Sequence, residues 1–264
     1  MVFGEARVQR YTRTMRRLWR WLPAMPLALA CSATSAPAPS TTAPTAIAAP
    51  VRVMMVTATA AFRHDSIPTA RQVIGDLAPS SGFTVAATET LADITPSRLA
   101  STDVLMFALT SGELALDAAQ KEAIVAFVTS GGGFIGVHSA SDTLYEWADY
   151  GRLVGAYFKE HPWTTDATVS VEDRAHPITA GLGSSFRLHE EFYTFRANPR
   201  ASTHVLLSLD AASVGAAGDF PLAWTQAVGR GRCYYNALGH FDSTWRDGVF
   251  QRQLVNAIRW TAGR

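Results

Sequence analysis

From Val51 onward, short apolar runs alternate with amphipathic stretches, and their spacing sets an order of elements. Val51 to Thr57 is nearly continuously apolar, the pattern of a parallel strand covered on both faces. A loop, Ala60 to Asp65, leads to a helix starting near Ser66 with Pro68 in its first turn. Phe83 to Ala87 reads as a second strand, Thr95-Pro96 opens a short helix, and Asp103 to Leu109 reads as a third strand. Asp117 caps a helix that carries Ile124, Phe127 and Val128 on its apolar face. That helix ends in Gly131-Gly132-Gly133, and the fourth strand, Phe134 to His138, follows at once. Strand and helix in alternation predict right-handed crossovers and a doubly wound, mostly parallel α/β sheet with helices on both faces.

The second half is less regular. Ala167 to Glu172, Thr203 to Leu209, Pro221 to Ala227 and Arg232 to Leu238 are strand-like, and Gly229-Arg230-Gly231 joins the last two as an added antiparallel hairpin. Ala211 to Asp219 marks a surface loop. The closing helix, Asp247 to Thr261, carries Phe250, Leu254 and Ile258 in one stripe that should dock on the sheet.

Composition changes this picture mainly at the amino end. The 264 residues, 48% hydrophobic and 17% charged, suffice for one sizeable core once the first ~50 are set aside. A net charge of +1 hides Arg7, Arg10, Arg13, Arg16, Arg17 and Arg20 against a single acid, Glu5. With a short apolar run, Trp21 to Ala30, this is the build of a secretory signal. Leu27-Ala28-Leu29-Ala30-Cys31 is similar to a bacterial lipobox, which would make Cys31 a lipidated first residue. Residues 32–50, almost wholly Ser, Thr, Ala and Pro, read as a tether that cannot bury a core. The expected organisation is therefore leader 1–31, tether 32–50 and one domain 51–264, exported and held at the membrane only by a lipid on Cys31. The remaining chain is mildly acidic, so nucleic acid is not expected as a partner. Cys233, the other cysteine, sits in an apolar strand as a buried thiol.

Six of the seven histidines fall in loops or at strand ends. Two of them, His138 and His240, should approach the carboxyl edge of the sheet, where open α/β folds bind ligands. Gly136-x-His138-x-Ala140 has the shape of a strand-to-helix elbow that presents one side chain. Glu190-Glu191 supplies carboxylates to orient an imidazole or share its proton. Two histidines and a carboxylate also invite zinc or manganese. No HExxH or His-x-His spacing is present, however, so a divalent metal keeps a low weight, no metal ligand is named, and no tightly bound ion or other cofactor is expected. Glycine patterns for nucleotides are absent, and Ser139 lacks a Gly-x-Ser-x-Gly frame. Aromatic residues such as Trp163, Tyr193, Trp224 and Trp245 lie near the same loops and could stack on sugar rings.

Several segments together resemble the trehalose-utilisation, or ThuA-like, family: Phe62-Arg63-His64-Asp65-Ser66-Ile67; Gly132 to Thr143; Leu153 to Phe158 with His161-Pro162; His176-Pro177-Ile178-Thr179; Glu190-Glu191-Phe192-Tyr193; Pro221 to Trp224; and Gly229 to His240. The resemblance implies a fold similar to class I glutamine amidotransferases and a link to the breakdown of disaccharides or keto-sugars. Those amidotransferases carry a nucleophilic cysteine at the elbow where this chain has His138, so a glutaminase is excluded. Glu190 departs from the family pattern, in which aspartate is usual.

The expected function is an exported enzyme acting on a glycoside or keto-sugar, a trehalose-like disaccharide derivative, with a small carbohydrate as its partner. His138 and His240 are expected as acid and base, assisted by Glu190 or Glu191. His64, Ser139, Asp142, His161, Tyr193, Trp224 and Trp245 are the expected sugar contacts. The alternative is a non-catalytic carbohydrate-binding lipoprotein.

Overall fold

A computed structural model describes residues 49–264; the expected leader and most of the tether, with the proposed lipidation site at Cys31, lie outside the described residues. The apolar runs form strands β1 (Val51–Val56), β3 (Val104–Ala108) and β4 (Gly133–Val137), with β2 (Phe83–Thr88) on the outer side of β1. Between them lie α1 (Ile67–Ser81), α2 (Pro96–Ala100) and α3 (Ala118–Thr129). Asp117 caps α3 through a reciprocal pair: its Oδ1 accepts from Gln120 N at 2.8 Å, and Gln120 Oε1 accepts from Asp117 N at 3.0 Å. After α4 (Ala148–Val154) come β5 (Phe158–Val171), β6 (Ser185–Phe195), β7 (His204–Leu209), β8 (Pro221–Val228) and β9 (Gly231–Asn236). The chain closes with α5 (Asp242–Arg246) and α6 (Gly248–Thr261).

All nine strands join one sheet in the order β2-β1-β3-β4-β9-β8-β7-β5-β6. Pairings from β2 to β9 are parallel, and those from β9 to β6 are antiparallel. The expected mostly parallel sheet with one added hairpin is thus corrected to a mixed sheet, parallel in one half and antiparallel in the other. The difference comes from β5 and β6, which pair from Phe158↔Phe195 to Ser170↔Ser185 as a long ribbon. Lys159, Glu160 and His161 in β5 are exposed, so this stretch lacks the apolar period that marks a strand and is held by backbone pairing.

The β8–β9 hairpin forms where expected and packs against the end of α3. Gly229 has φ +61°, and a Cβ there would meet Thr129 O at 2.7 Å, so both the turn and the contact require glycine. In α6, Phe250, Leu254 and Ile258 are fully buried on the sheet, and burial of such side chains contributes about 1.5–3 kcal/mol each. The sheet's parallel half leaves the carboxyl ends of β1, β4 and β9 on one edge, and the β5–β6 ribbon stands beside that edge.

Candidate functional site

β4 delivers His138 to this edge through a strained turn. His138 has φ +54°, in the left-handed region, which costs about 1–3 kcal/mol for a residue with a Cβ. Its carbonyl is held by the Tyr235 hydroxyl at 2.8 Å, and its Nδ1 lies 2.7 Å from Ala237 O. A carbonyl only accepts, so Nδ1 carries the proton and Nε2 is left as an acceptor. The Tyr193 hydroxyl donates to Nε2 at 2.9 Å. Close packing explains the small residues of the elbow: a Cβ on Gly136 would lie 3.1 Å from the Tyr235 ring and 3.4 Å from Ala140 Cβ.

Two more imidazoles meet this ring. His64, in the loop after β1, is buried with its ring centroid 4.8 Å from that of His138 and 5.1 Å from that of His240. Ser139 Oγ lies behind it, 3.4 Å from Nδ1. His240 follows β9 with its ring centroid 5.4 Å from that of His138. Its loop is pinned by Glu190, whose buried carboxylate accepts from Gly239 N at 2.9 Å, His240 N at 3.1 Å and Thr244 Oγ1 at 2.7 Å, and from Glu191 N. Gly239, at φ +124°, makes the turn, and its carbonyl accepts from the Trp245 indole N–H at 2.8 Å.

Neighbouring carboxylates on β6 therefore take different places. Glu191 reaches into the cluster: Oε2 lies 2.9 Å from His240 Nδ1 and 3.9 Å from His138 Nε2, while Oε1 lies 3.6 Å from His161 Nδ1. The His240 contact is a close approach of charge rather than an aligned hydrogen bond, and His240 Nδ1 is buried without a hydrogen-bond partner. Burial, then the neighbouring His240, lowers His64 to about 4. Burial and the adjacent His64 hold His138 well below the ordinary imidazole value. In His240 burial acts downward too, but contact with Glu191 outweighs it and the net direction is up. Glu191 responds in the opposite sense: burial raises it, yet His240 brings it below the usual carboxylate value. Burial pushes the Tyr193 phenol well up, so its hydroxyl keeps its proton.

The fold thus brings together His64, His138, His240, Glu191 and Tyr193, with Ser139 behind and His161 at the opening. Each of His64, His138, Glu191 and His240 offers a donor atom, and these atoms lie within 4.8 Å of one another although no local spacing links them. Other expected contacts are placed elsewhere. Trp224 is fully buried in the core, its indole N–H donated to Val154 O at 3.0 Å, so it cannot stack on a substrate. Trp245 is likewise buried, beneath the Gly239 turn. Glu190 is the anchor of the His240 loop rather than a group facing the opening. Asp142 accepts from the Tyr145 hydroxyl at 2.6 Å, next to the stack of Arg196 on Tyr145, and that hydroxyl also lies 3.2 Å from Phe158 O. Among the described residues the Asp142 carboxylate makes no hydrogen bond or ion pair with the histidine cluster. Sequence reasoning missed two rim aromatics. Phe62 is 62% exposed and edge-on to His64 at 4.7 Å, and Phe241 lies 4.5 Å from His240. The signal for both was a histidine one or two residues away in the chain, which by itself does not separate rim from core.

Similarity to known proteins agrees with this architecture. The chain matches the family model ThuA, trehalose utilisation, over residues 52–261. A ThuA-like protein from Bacteroides uniformis is 24% identical with a TM-score of 0.69, covering 83% of this chain and 95% of its own. Another, from Parabacteroides merdae, is 18% identical with a TM-score of 0.66, covering 81% and 90%. A protein from Thermoplasma acidophilum, described as a candidate GMP synthase component, is 14% identical with a TM-score of 0.53, covering 81% and 94%, and shares the amidotransferase-like fold. No curated protein is a significant match. With its whole domain matched, the chain belongs to the trehalose-utilisation family, whose description points to carbohydrate metabolism.

Proposed function

We propose that this cleft is the active site of an enzyme that transforms a glycoside or keto-sugar of the trehalose type by proton transfer. The observation that carries the reading is convergence: ionisable side chains from the loops after β1, β4 and β9 and from β6 meet at one edge of the sheet. The surface cleft between Pro96, Phe127 and Gly132 holds one ionisable side chain, Asp103, already paired with Arg52. Glu191 touches His240 through one oxygen and faces His161 through the other, which suits handing a proton between cleft floor and opening. His138, buried and kept neutral, suits accepting a hydrogen bond more than cycling a proton. Phe62 at the rim offers a face for an apolar sugar surface while the imidazoles and Glu191 bond its hydroxyls.

The full chain is to be incubated with trehalose, sucrose and their keto derivatives, with and without chelator. Turnover of at least one is expected, reduced by about 10² or more in His240→Ala and Glu191→Gln proteins that remain folded. Sugar binding without turnover, unaffected by either substitution, would make the protein a binder. Export with lipidation at Cys31 is also proposed, from the arginine-rich start, the short apolar run and the Ser/Thr/Pro stretch. Labelled palmitate should enter wild type and not Cys31→Ser; absence from both would remove the anchor.

A further inference from the structure

We propose that His64, His138, His240 and Glu191 form a binding site for one divalent transition-metal ion of the zinc or manganese kind. The proposal deepens the reading of this cleft as the functional site and rests on it. Four donor groups within 4.8 Å of one another come from four segments that the fold has to bring together. In zinc sites donors stand about 2.0–2.2 Å from the ion, which sets them about 3.4 Å apart in a tetrahedron. With a spread of at most 4.8 Å, the widest pair would close by about 1.4 Å (4.8 less about 3.4) to reach that spacing.

The partners of these groups favour an ion over a self-contained hydrogen-bond cluster. A buried polar nitrogen without a well-aligned partner is costly to the fold. His240 Nδ1 meets Glu191 Oε2 at 2.9 Å out of hydrogen-bond line, His64 has only the 3.4 Å contact with Ser139, and His138 Nε2 would exchange the Tyr193 hydroxyl for the ion. A cation would engage these lone pairs at once. Outer support of the usual kind is also built in: a metal-bound histidine generally donates its second N–H to a carbonyl or carboxylate, and His138 does so to Ala237 O at 2.7 Å. Glu190 fixes the backbone of His240 from below. Three imidazoles and one carboxylate select against magnesium and calcium, which prefer all-oxygen shells. Glu191 and His240 keep 14% and 20% of their side chains exposed toward the opening, so one side of the site stays free for a ligand. His161, also facing Glu191 but 46% exposed, stays outside the set, so with the ion held by Glu191 and His240 the proton transfer would fall to His161 and an ion-bound ligand. When bound, the ion would supply Lewis acidity toward a sugar carbonyl or hydroxyl.

Elemental analysis of the purified full chain should find close to one zinc or manganese per chain. After stripping with chelator, zinc or manganese should raise the melting temperature, and magnesium should not. Cobalt should give ligand-field absorption. Glu191→Gln and His64→Ala should each weaken metal affinity at least about tenfold, with circular dichroism and the metal-free melt unchanged, whereas His161→Ala should keep one ion per chain. A folded wild type that takes up neither metal at saturating concentration would overturn the site. So would bound metal that survives both ligand substitutions at full affinity. Metal binding without turnover of any sugar would leave the site standing and defeat the proposed function. Full turnover by metal-free protein would do the reverse.

Discussion

Glu190 and Glu191 are adjacent, yet one holds the structure of the site and the other faces its opening. Alternation along β6 points successive side chains to opposite sides, so Glu190 turns into the protein and Glu191 into the cleft. Removing Glu190 in a Glu190→Ala protein orphans the Gly239 and His240 amides and the Thr244 hydroxyl. Each buried donor left unpaired costs about 1–3 kcal/mol, and a total loss of about 3 kcal/mol or more is expected. The denaturant midpoint should fall accordingly, and His240 should lose its fixed position. A midpoint within about 0.5 kcal/mol of wild type, the range of ordinary surface substitutions, would show that solvent replaces the carboxylate. The acidic pair was legible in the sequence as a candidate, but the division of labour was not. It depends on which way the ribbon faces the loop after β9, and that contact lies 50 residues away in the chain.

Among elements, those with a strong local signal were the ones readable in advance. β1, β3 and β4 are apolar on both faces, and α3 carries its own capping box, so pattern alone places them. α4, α5, β6 and the first half of β5 are held by long-range contacts, and their polar residues disguise them. The same ribbon carries Glu191 and His161, which is why half of the site could be named by residue type but not positioned. At its far end the ribbon is clasped to the β7–β8 connection by Arg200. Its guanidinium bonds both oxygens of Glu172 at 2.7 and 2.8 Å and both oxygens of Asp219 at 2.7 and 2.6 Å. Hydrogen bonding from Arg200 holds both carboxyls below their usual range. A lowered folded-state pKa means that this stabilisation is present above the unfolded value near pH 4 and is lost as pH falls through the folded value. The groups are partly exposed, so Arg200→Ala should cost only about 1 kcal/mol at pH 7. The gap from wild type should close as both proteins approach pH 2. Urea midpoints measured across that range decide it, and a gap that persists at the acid end would mean Arg200 acts through packing instead of charge.

At the scale of the whole molecule, the parallel and antiparallel halves share one sheet, and the seam between them runs through the candidate site. His64 and His138 leave strands of the parallel half, Glu191 and His161 stand on the antiparallel ribbon, and His240 follows β9, which belongs to both. The seam itself is well buried. β4 pairs with β9 from Phe134↔Cys233 to Val137↔Asn236, and all of these residues are buried. α6 lies across it, with Phe250, Leu254 and Ile258 against the sheet. Such a continuous core predicts that neither half unfolds alone, even though each carries its own kind of strand connection. Fluorescence of the core residues Trp224, in the antiparallel half, and Trp245, beside the seam, should follow the same denaturation curve as far-UV circular dichroism, the mark of a single cooperative transition. If zinc or manganese binds across the seam, both curves should move together to higher denaturant, because an ion bound only by the native state stabilises everything that must form to bind it. A tryptophan transition that precedes loss of secondary structure would divide the molecule at β4–β9. The four side chains would then be gathered only after two independent units had docked.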